Sequence, residues 1–168
     1  MSLTIGIDYG GVCSMNDAKH EDNTFSGEVG INVENCMESL KELKTQGHKL
    51  VLISFCGAQR ARETQKYFSK LPENPFPDVF FVKKRPSKQK ICEFVGADVM
   101  IDDRLDILEV IQNTKTLHFG SHISDVNCKY IPDYEAKNWR ETVEIIKTFK
   151  PLGLVPQTKM NIQNIIYV

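Results

Sequence analysis

The first reactive side chain of this sequence is Asp8, which follows the apolar run TIGI and precedes a turn that contains Gly10 and Gly11. Two chemistries use an aspartate in such a place. In the first, the carboxylate attacks a phosphoryl group or binds a metal ion. In the second, the glycines hold a nucleotide phosphate or a nucleic-acid backbone. The stretch fits both, so the choice depends on the other reactive residues of the chain.

Further polar side chains follow two other apolar runs. Ser54 lies near the end of KLVLISF, Asp102 and Asp103 end VMIDD, and Asp106 follows one helical turn later. Carboxylates gathered at one place repel one another unless a cation lies among them. Oxygen ligands with a carboxylate majority suit Mg²⁺, and a serine hydroxyl can donate to a phosphate oxygen. These residue types favour a magnesium site for phosphate chemistry.

Three lysines, Lys83, Lys84 and Lys88, come shortly before the acidic pair. A lysine beside carboxylates balances the charge of a nucleophilic carboxylate and its phosphoryl ligand. Taken singly, each feature has a plainer interpretation, because KKRPSKQK is typical of a solvated loop and a serine often ends a strand at a turn. Their joint occurrence in this order favours a site over a set of surface residues.

Strands and helices that alternate along the chain must position these residues. Strands are expected at 3–8, 49–55, 79–82, 98–102 and 116–119, and helices from Asn32 to Gly47 and at 58–71, 87–96, 105–111 and 135–147. This alternation predicts an α/β fold, a single Rossmann-like three-layer domain with a mostly parallel sheet of about five strands. Ligands bind beyond the carboxyl ends of such strands, where the reactive residues are expected to meet.

The chain is expected to form one domain over residues 1–168, with a core at about 3–147. The polar segment 14–30 is long enough to act as a flap over the site. Residues 148–168 form a tail that ends in the apolar sequence MNIQNIIYV. Three interpretations of this tail stay open: a sixth strand, a cover for the sheet edge, or a contact through which the chain forms a dimer.

Composition excludes several classes of protein. The 168 residues are 41% hydrophobic and 26% charged, which is ordinary for a globular domain, and the net charge of -1 gives no strong signal of nucleic-acid binding. No apolar run is long enough to span a bilayer, so no membrane partner is expected. The five cysteines include no C-x-x-C pair, which favours reduced thiols and a cytoplasmic location over a disulfide framework or a zinc site.

In their order, these motifs resemble the haloacid dehalogenase-like (HAD) hydrolase superfamily, over about residues 3–147. The family's first motif, D-x-D-G-[TV] after an apolar strand, is represented by DYGGV at 8–12. Ser54 matches its second motif, Lys88 or alternatively Lys84 its third, and Asp102–Asp103 its acidic fourth. The segments IDDRLDIL and NWRETVEII weakly resemble the deoxyribonucleotidase branch. The spacing leaves no room for a large cap domain.

The resemblance implies a hydrolase that acts on phosphate esters. Asp8 is then the nucleophile that forms an aspartyl-phosphate, while Ser54 and Lys88 hold the phosphoryl oxygens. Mg²⁺ is expected to bind Asp8, the carbonyl of Gly10, and Asp103 or Asp102. The implied substrate is a phosphorylated small molecule or the phosphorylated end of a macromolecule, because an uncapped site admits bulky groups.

One departure from the family pattern affects the expected activity. The family's phosphatases carry a second aspartate two residues after the first, which protonates the leaving group, and this chain has Gly10 there. Loss of a general acid typically lowers the rate by about 10²–10⁴-fold. A substitute acid in the segment 14–30, with His20, Asp17 and Glu21 as candidates, is one hypothesis. A pseudoenzyme that binds a phosphate or a partner without turnover is the alternative.

A second alternative is an RNase-H-like Holliday-junction resolvase. The first strand of that class also ends in DYG, and its DER segment is similar to IDDRLDIL. Asp8 and one of Asp102 and Asp103 would then bind metal for phosphodiester hydrolysis. That fold requires hairpin strands directly after the first strand, whereas this sequence predicts a polar loop and a helix.

Overall fold

The computed structural model describes residues 1–15, 30–120, 127–155 and 164–167, which contain seven strands and five helices. The strands are β1 (Thr4–Ile7), β2 (Lys49–Phe55), β3 (Asp78–Val82), β4 (Val99–Asp102), β5 (Lys115–Phe119), β6 (Tyr134–Ala136) and β7 (Asn164–Tyr167). The helices are α1 (Cys36–Thr45), α2 (Ala58–Ser69), α3 (Ser87–Val95), α4 (Leu105–Leu108) and α5 (Trp139–Ile146).

All seven strands form one parallel sheet in the order β6-β5-β4-β1-β2-β3-β7. From β1 the chain builds the sheet on one side through β2 and β3, and then crosses back to place β4 on the other side of β1. The strand order therefore reverses between β1 and β4. Open α/β sheets bind their ligands at such a switch point, beyond the carboxyl ends of the strands.

Two hydrophobic cores cover the two faces of the sheet. On one face, Leu40 of α1, Phe68 of α2 and Trp139 of α5 are buried together with Ile5 and Ile7 of β1. On the other face, the buried residues come chiefly from α3 and from alternate positions of β2, and include Ile91, Cys92, Val95, Val51 and Ile53. This arrangement confirms the predicted α/β fold with three Rossmann-like layers.

The predicted number of about five strands is too low. The short strand β6 lies inside the segment 135–147 that was predicted to be wholly helical, and α5 begins only after Asn138, whose side chain accepts a hydrogen bond from the Glu141 backbone. A three-residue strand is too short to show an alternating pattern. The C-terminal tail supplies β7, which pairs with β3, so the strand interpretation of the tail is confirmed.

Other element boundaries shift by a few residues. The first helix begins at Cys36 after Asn35, rather than at Asn32, whose side chain instead accepts a hydrogen bond from the Met15 backbone. The core also extends past residue 147, because the ring of Phe149 lies 4.5 Å from that of Tyr134. These differences leave the predicted order of the elements unchanged.

The expected flap, residues 14–30, lies outside the described residues except for Ser14, Met15 and Gly30, and so do Asp17, His20 and Glu21. Among the described helices, none combines the length and apolar character needed to cross a membrane. Strand β1 has parallel neighbours on both sides, β2 and β4. A resolvase-like fold requires an antiparallel hairpin beside the first strand. In this structure both sides of β1 are already paired with parallel strands, so such a hairpin cannot pair with β1.

Candidate functional site

A buried lysine joins two aspartates at the switch point of the sheet. Asp8 directly follows β1, Asp102 is the last residue of β4, and Lys88 lies in the first turn of α3. The Lys88 ammonium donates hydrogen bonds to Asp8 Oδ1 at 2.8 Å and to Asp102 Oδ2 at 2.7 Å. Lys88 is 1% exposed and Asp102 0%, so the ion pairs are shielded from water. Of the two lysines that the motif allowed, Lys88 contacts the carboxylates, whereas Lys84 is exposed.

Asp103 completes a group of three carboxylates. One oxygen each of Asp8, Asp102 and Asp103 lies within 4.8 Å of the others. Asp102 has a partner on both oxygens, since Oδ2 accepts from Lys88 and Oδ1 accepts from the backbone N–H of Arg104 at 3.0 Å. Asp103 is only half-buried and lies next to Asp8. The predicted meeting of Asp8 with the acidic pair is therefore observed.

Burial and mutual repulsion shift the protonation of these carboxyls. Burial, together with the charge of Asp102, raises the pKa of Asp8 from 3.8 to about 6, although Lys88 opposes the shift. Burial and the charges of Asp8 and Asp102 raise the pKa of Asp103 to about 8. Burial lowers the pKa of Lys88, but the charges of Asp102 and Asp8 outweigh it and hold that pKa above its usual value. Burial and the neighbouring charges thus favour the protonated form of Asp103, which can donate a hydrogen bond to Asp8.

The donor set fits a divalent cation. Three ionised carboxylates and one ammonium leave two negative charges without a counterion when Asp103 loses its proton. The donors are all oxygen atoms, which Mg²⁺ prefers, and they come from carboxylates held at one edge of the sheet. Among the described residues, this is the only group of three acidic, histidine or cysteine side chains close enough to hold a metal ion.

A tight turn positions the Asp8 backbone. The Tyr9 carbonyl accepts hydrogen bonds from the backbone N–H groups of Cys13 at 2.8 Å and Ser14 at 3.0 Å. The Cys13 thiol donates to the Asp8 carbonyl at 3.4 Å, and the Trp139 indole donates to the Val12 carbonyl at 2.8 Å. Neither Cys13 nor Trp139 was identified from the sequence as part of this turn; the only signal of Trp139 in the sequence is that it is the single tryptophan.

The two glycines of the turn have different constraints. Gly11 has a φ of +76°, in the left-handed region that favours glycine, and a Cβ at this position would overlap the Asp103 carboxylate. Gly10 is not among the residues with positive φ. The left-handed backbone that favours glycine is therefore found at Gly11 and not at Gly10.

Ser54 lies at the same edge of the sheet but on the opposite face from Lys88. It is 4% exposed and lies two residues beyond Leu52, which pairs with Ile7. Leu52 belongs to the core on the side of α1, and Ile53 to the core on the side of α3. Side chains alternate along a strand, so Ser54 follows Leu52 and approaches the strand ends from the side of α1.

Two further polar residues border the group. His118, at the end of β5, has Nε2 at 3.1 Å from the Asp103 carbonyl, a contact that the sequence analysis did not predict. Its signal was the position of a histidine at the carboxyl end of a strand. Asp106 does not join the three carboxylates; it accepts two hydrogen bonds from the Arg104 guanidinium, at 3.0 and 2.8 Å. Arg104 and Asp106 therefore form part of the rim.

Comparison of the sequence with models of known protein families gives no match, and comparison with curated proteins gives none either.

The metal-free protein is expected to lose stability as the pH rises. The folded pKa values, about 6 for Asp8 and about 8 for Asp103, lie above the 3.8 of an unperturbed aspartate. The folded state thus binds more protons than the unfolded chain, and the free energy of unfolding falls with pH. This contribution is complete below pH 3.8 and is lost as the pH rises through about 6 and about 8.

Urea unfolding in the presence of a chelator, repeated across this pH range, measures the effect. Asp103→Asn should reduce the fall of the free energy of unfolding with pH. The control Asp78→Asn should not, because it removes an ion pair with Lys49 at the amino ends of β2 and β3, away from the three carboxylates. If the stability of the wild type and that of Asp103→Asn depended on pH in the same way, the raised pKa of Asp103 in the folded state would be contradicted.

Gly11→Ala should destabilise the protein more than Gly47→Ala. Both residues have positive φ, +76° and +90°, so both substitutions strain the backbone, by about 1–2 kcal/mol. A Cβ at Gly47 meets nothing within 4 Å, whereas one at Gly11 must displace the Asp103 carboxylate. Urea unfolding of the two variants measures the difference, and equal losses would show that Asp103 does not pack against this turn.

Proposed function

We propose that this chain is a magnesium-dependent hydrolase of phosphate esters, similar in chemistry to the HAD hydrolases, with Asp8 as its nucleophile. The observation that carries the proposal is the contact of Asp8 with the buried Lys88 ammonium, beside Asp102 and Asp103. This group lies at the switch point of a parallel sheet, where such folds bind ligands. The order of the motifs along the chain supports the same assignment.

The roles of the residues follow from their partners. Asp102 keeps Lys88 in place, because its two oxygens bind Lys88 and the Arg104 backbone. Asp8, the Gly10 carbonyl and Asp103 are left to hold Mg²⁺, which when bound supplies positive charge for the phosphoryl oxygens. Lys88 holds a phosphoryl oxygen and Ser54 donates to another from the opposite face of the sheet.

The reaction proceeds in two displacements. An Asp8 oxygen forms a bond to phosphorus, and the bond from phosphorus to the leaving oxygen breaks, with its electron pair going to that oxygen. A water oxygen then attacks the phosphorus of the aspartyl-phosphate. The bond from phosphorus to the Asp8 oxygen breaks, inorganic phosphate leaves, and the proton of the water passes to solvent. Because position 10 carries no acid, the leaving group of the first step departs as an anion.

Gly10 also favours a second candidate function, the binding of a phosphate or a partner without turnover. The same cation and the same Lys88 contact would serve such a protein. The two functions differ in whether phosphate is released, so an activity measurement separates them.

Mg²⁺-dependent release of phosphate from p-nitrophenyl phosphate and acetyl phosphate is expected, because neither leaving group needs a proton. Asp8→Asn should reduce the rate to that of the uncatalysed reaction, since an amide does not attack phosphorus. Asp78→Asn should retain the wild-type rate, because Asp78 begins β3 at the opposite edge of the sheet. A wild-type rate in Asp8→Asn would contradict the proposed nucleophile, and Mg²⁺ binding without any turnover would favour the second function.

Gly10→Asp should increase turnover, by up to about 10²-fold, because it adds a carboxyl group that can protonate the leaving oxygen. The backbone permits the change, since Gly10 does not adopt a positive φ. The gain should be larger for an alkyl phosphate than for p-nitrophenyl phosphate. Gly10→Asn is the matched control, because its amide has nearly the same size but no acid function. Equal rates in the two variants would contradict the idea that position 10 lacks only an acid.

A further inference from the structure

An exposed aromatic ring lies beside the site, on the same face of the sheet as Lys88. Phe55 is the last residue of β2 and is 39% exposed. The register pairs Ile7 with Leu52, which places Asp8 level with Ile53, and Phe55 lies two residues farther along β2. Alternation puts Phe55 on the same face as Ile53, the face that α3 covers. Two residue rises and one strand spacing place the Phe55 backbone about 8 Å from that of Asp8.

Arg85 holds the Phe55 ring in place. Its guanidinium carbon lies 4.6 Å from the centre of the ring, a cation–π distance. Arg85 is also tied to the site through its backbone, because its carbonyl accepts a hydrogen bond from the Lys88 N–H at 3.1 Å. The turn that places Lys88 inside the site thus places Arg85 on the Phe55 ring. We call Phe55 and Arg85 the aromatic platform.

The charge of Arg85 also acts on Asp106 in α4. The pKa of Asp106 is lowered, chiefly by its hydrogen bond from Arg104, and the charge of Arg85 adds to the shift. Arg85 therefore lies near enough to act on the charge of Asp106 in α4, while its guanidinium lies over Phe55 of β2; β2 and β4 are the two neighbours of β1, which Asp8 follows.

The geometry points to phosphate esters of phenols as the substrates of this site, with the phenolic ring packed on the aromatic platform. The inference rests on the proposed function and deepens it. In an in-line displacement the leaving group departs on the side of phosphorus away from the nucleophile. That direction is outward from the ends of the strands, where Phe55 lies.

Gly10 independently favours the same class of substrate. Without an acid at this position, the leaving oxygen keeps the electron pair of the broken bond and departs as an anion. A phenol ionises with a pKa of about 10, whereas the pKa of water, which alkyl alcohols resemble, is about 15.7. Phenolate is therefore by far the better leaving group at a site that offers no proton. The absence of an acid at Gly10 and the presence of the aromatic platform thus both favour phosphate esters of phenols.

Binding can be tested without turnover. Phenylphosphonate and methylphosphonate carry the same phosphoryl-like group, and neither is hydrolysed. Calorimetry in Mg²⁺ measures the affinity of each, and the difference between the two affinities reports the contribution of the phenyl ring. Phenylphosphonate should bind about 3- to 10-fold more tightly to the wild type, the range typical of an aromatic pair. Phe55→Leu should remove this preference, and the control Ile131→Leu, at a residue 86% exposed and outside the site, should keep it. Equal affinities in the wild type, or a preference that survives Phe55→Leu, would overturn the proposal.

A kinetic measurement is the second test. Its outcomes distinguish a failure of the aromatic platform from a failure of the proposed hydrolase function. The readout is the ratio of kcat/KM for phenyl phosphate to that for acetyl phosphate, which has an acidic leaving group but no ring. This ratio should fall about 3- to 10-fold in Phe55→Leu. Turnover of both substrates with an unchanged ratio would overturn the aromatic platform while leaving the hydrolase intact. A phenylphosphonate preference without turnover would overturn the hydrolase while leaving the platform intact.

A phenolic ester could be a free small molecule or a phosphotyrosyl side chain. Phosphotyrosine and a phosphotyrosyl peptide, assayed in parallel with ethyl phosphate, distinguish the two. A higher kcat/KM for the peptide assigns a protein substrate, and equal values for the two phosphotyrosyl compounds assign a small one. A kcat/KM for ethyl phosphate as high as that of either would overturn the proposal.

Discussion

The buried ammonium of Lys88 is the interaction on which this site depends. Two aspartates, which end or follow the neighbouring strands β4 and β1, could not stay ionised in this interior without a cation between them. Lys88 supplies it from α3, the helix that directly precedes β4. Removing one partner would leave a buried charge uncompensated, which typically costs about 3–5 kcal/mol, so the ends of β1 and β4 and the start of α3 depend on one another. The same contact therefore belongs both to the packing of α3 and to the site.

The one ammonium does not balance all the charge that the fold brings together. Asp103 adds a third carboxyl, and its raised pKa reflects the cost of ionising it there. A divalent cation would remove that cost, and an anionic phosphoryl group would then be attracted by the cation and by Lys88. The chemistry that we propose follows from this imbalance. In the mechanism that we propose, Gly10 affects the departure of the leaving group and not the binding of phosphate.

The sequence predicted the fold well where the pattern was local. Strand β2 has the predicted bounds, because its apolar run is long and both its faces are covered. Strand β6 could not be predicted, since its three residues pair only through tertiary contacts. The start of α3 was predicted, but the choice between Lys84 and Lys88 depended on which ammonium reaches Asp8 and Asp102, which are tertiary contacts. The roles of Asp102 and Asp103 likewise differ only in their hydrogen-bond partners. The contact of Phe55 with Arg85 joins a strand to a loop, so no spacing in the sequence could show it.

A crystal structure of the wild-type protein with Mg²⁺ and beryllofluoride, which mimics a phosphoryl group on a carboxylate, tests the central claim most directly. Our account predicts beryllium bonded to the Asp8 carboxylate, a fluorine atom within hydrogen-bond reach of the Lys88 ammonium, and the cation bound by Asp8 and Asp103. A structure in which the cation occupies the site but Asp8 carries no beryllofluoride, or in which another residue carries it, would contradict the assignment of Asp8 as the nucleophile.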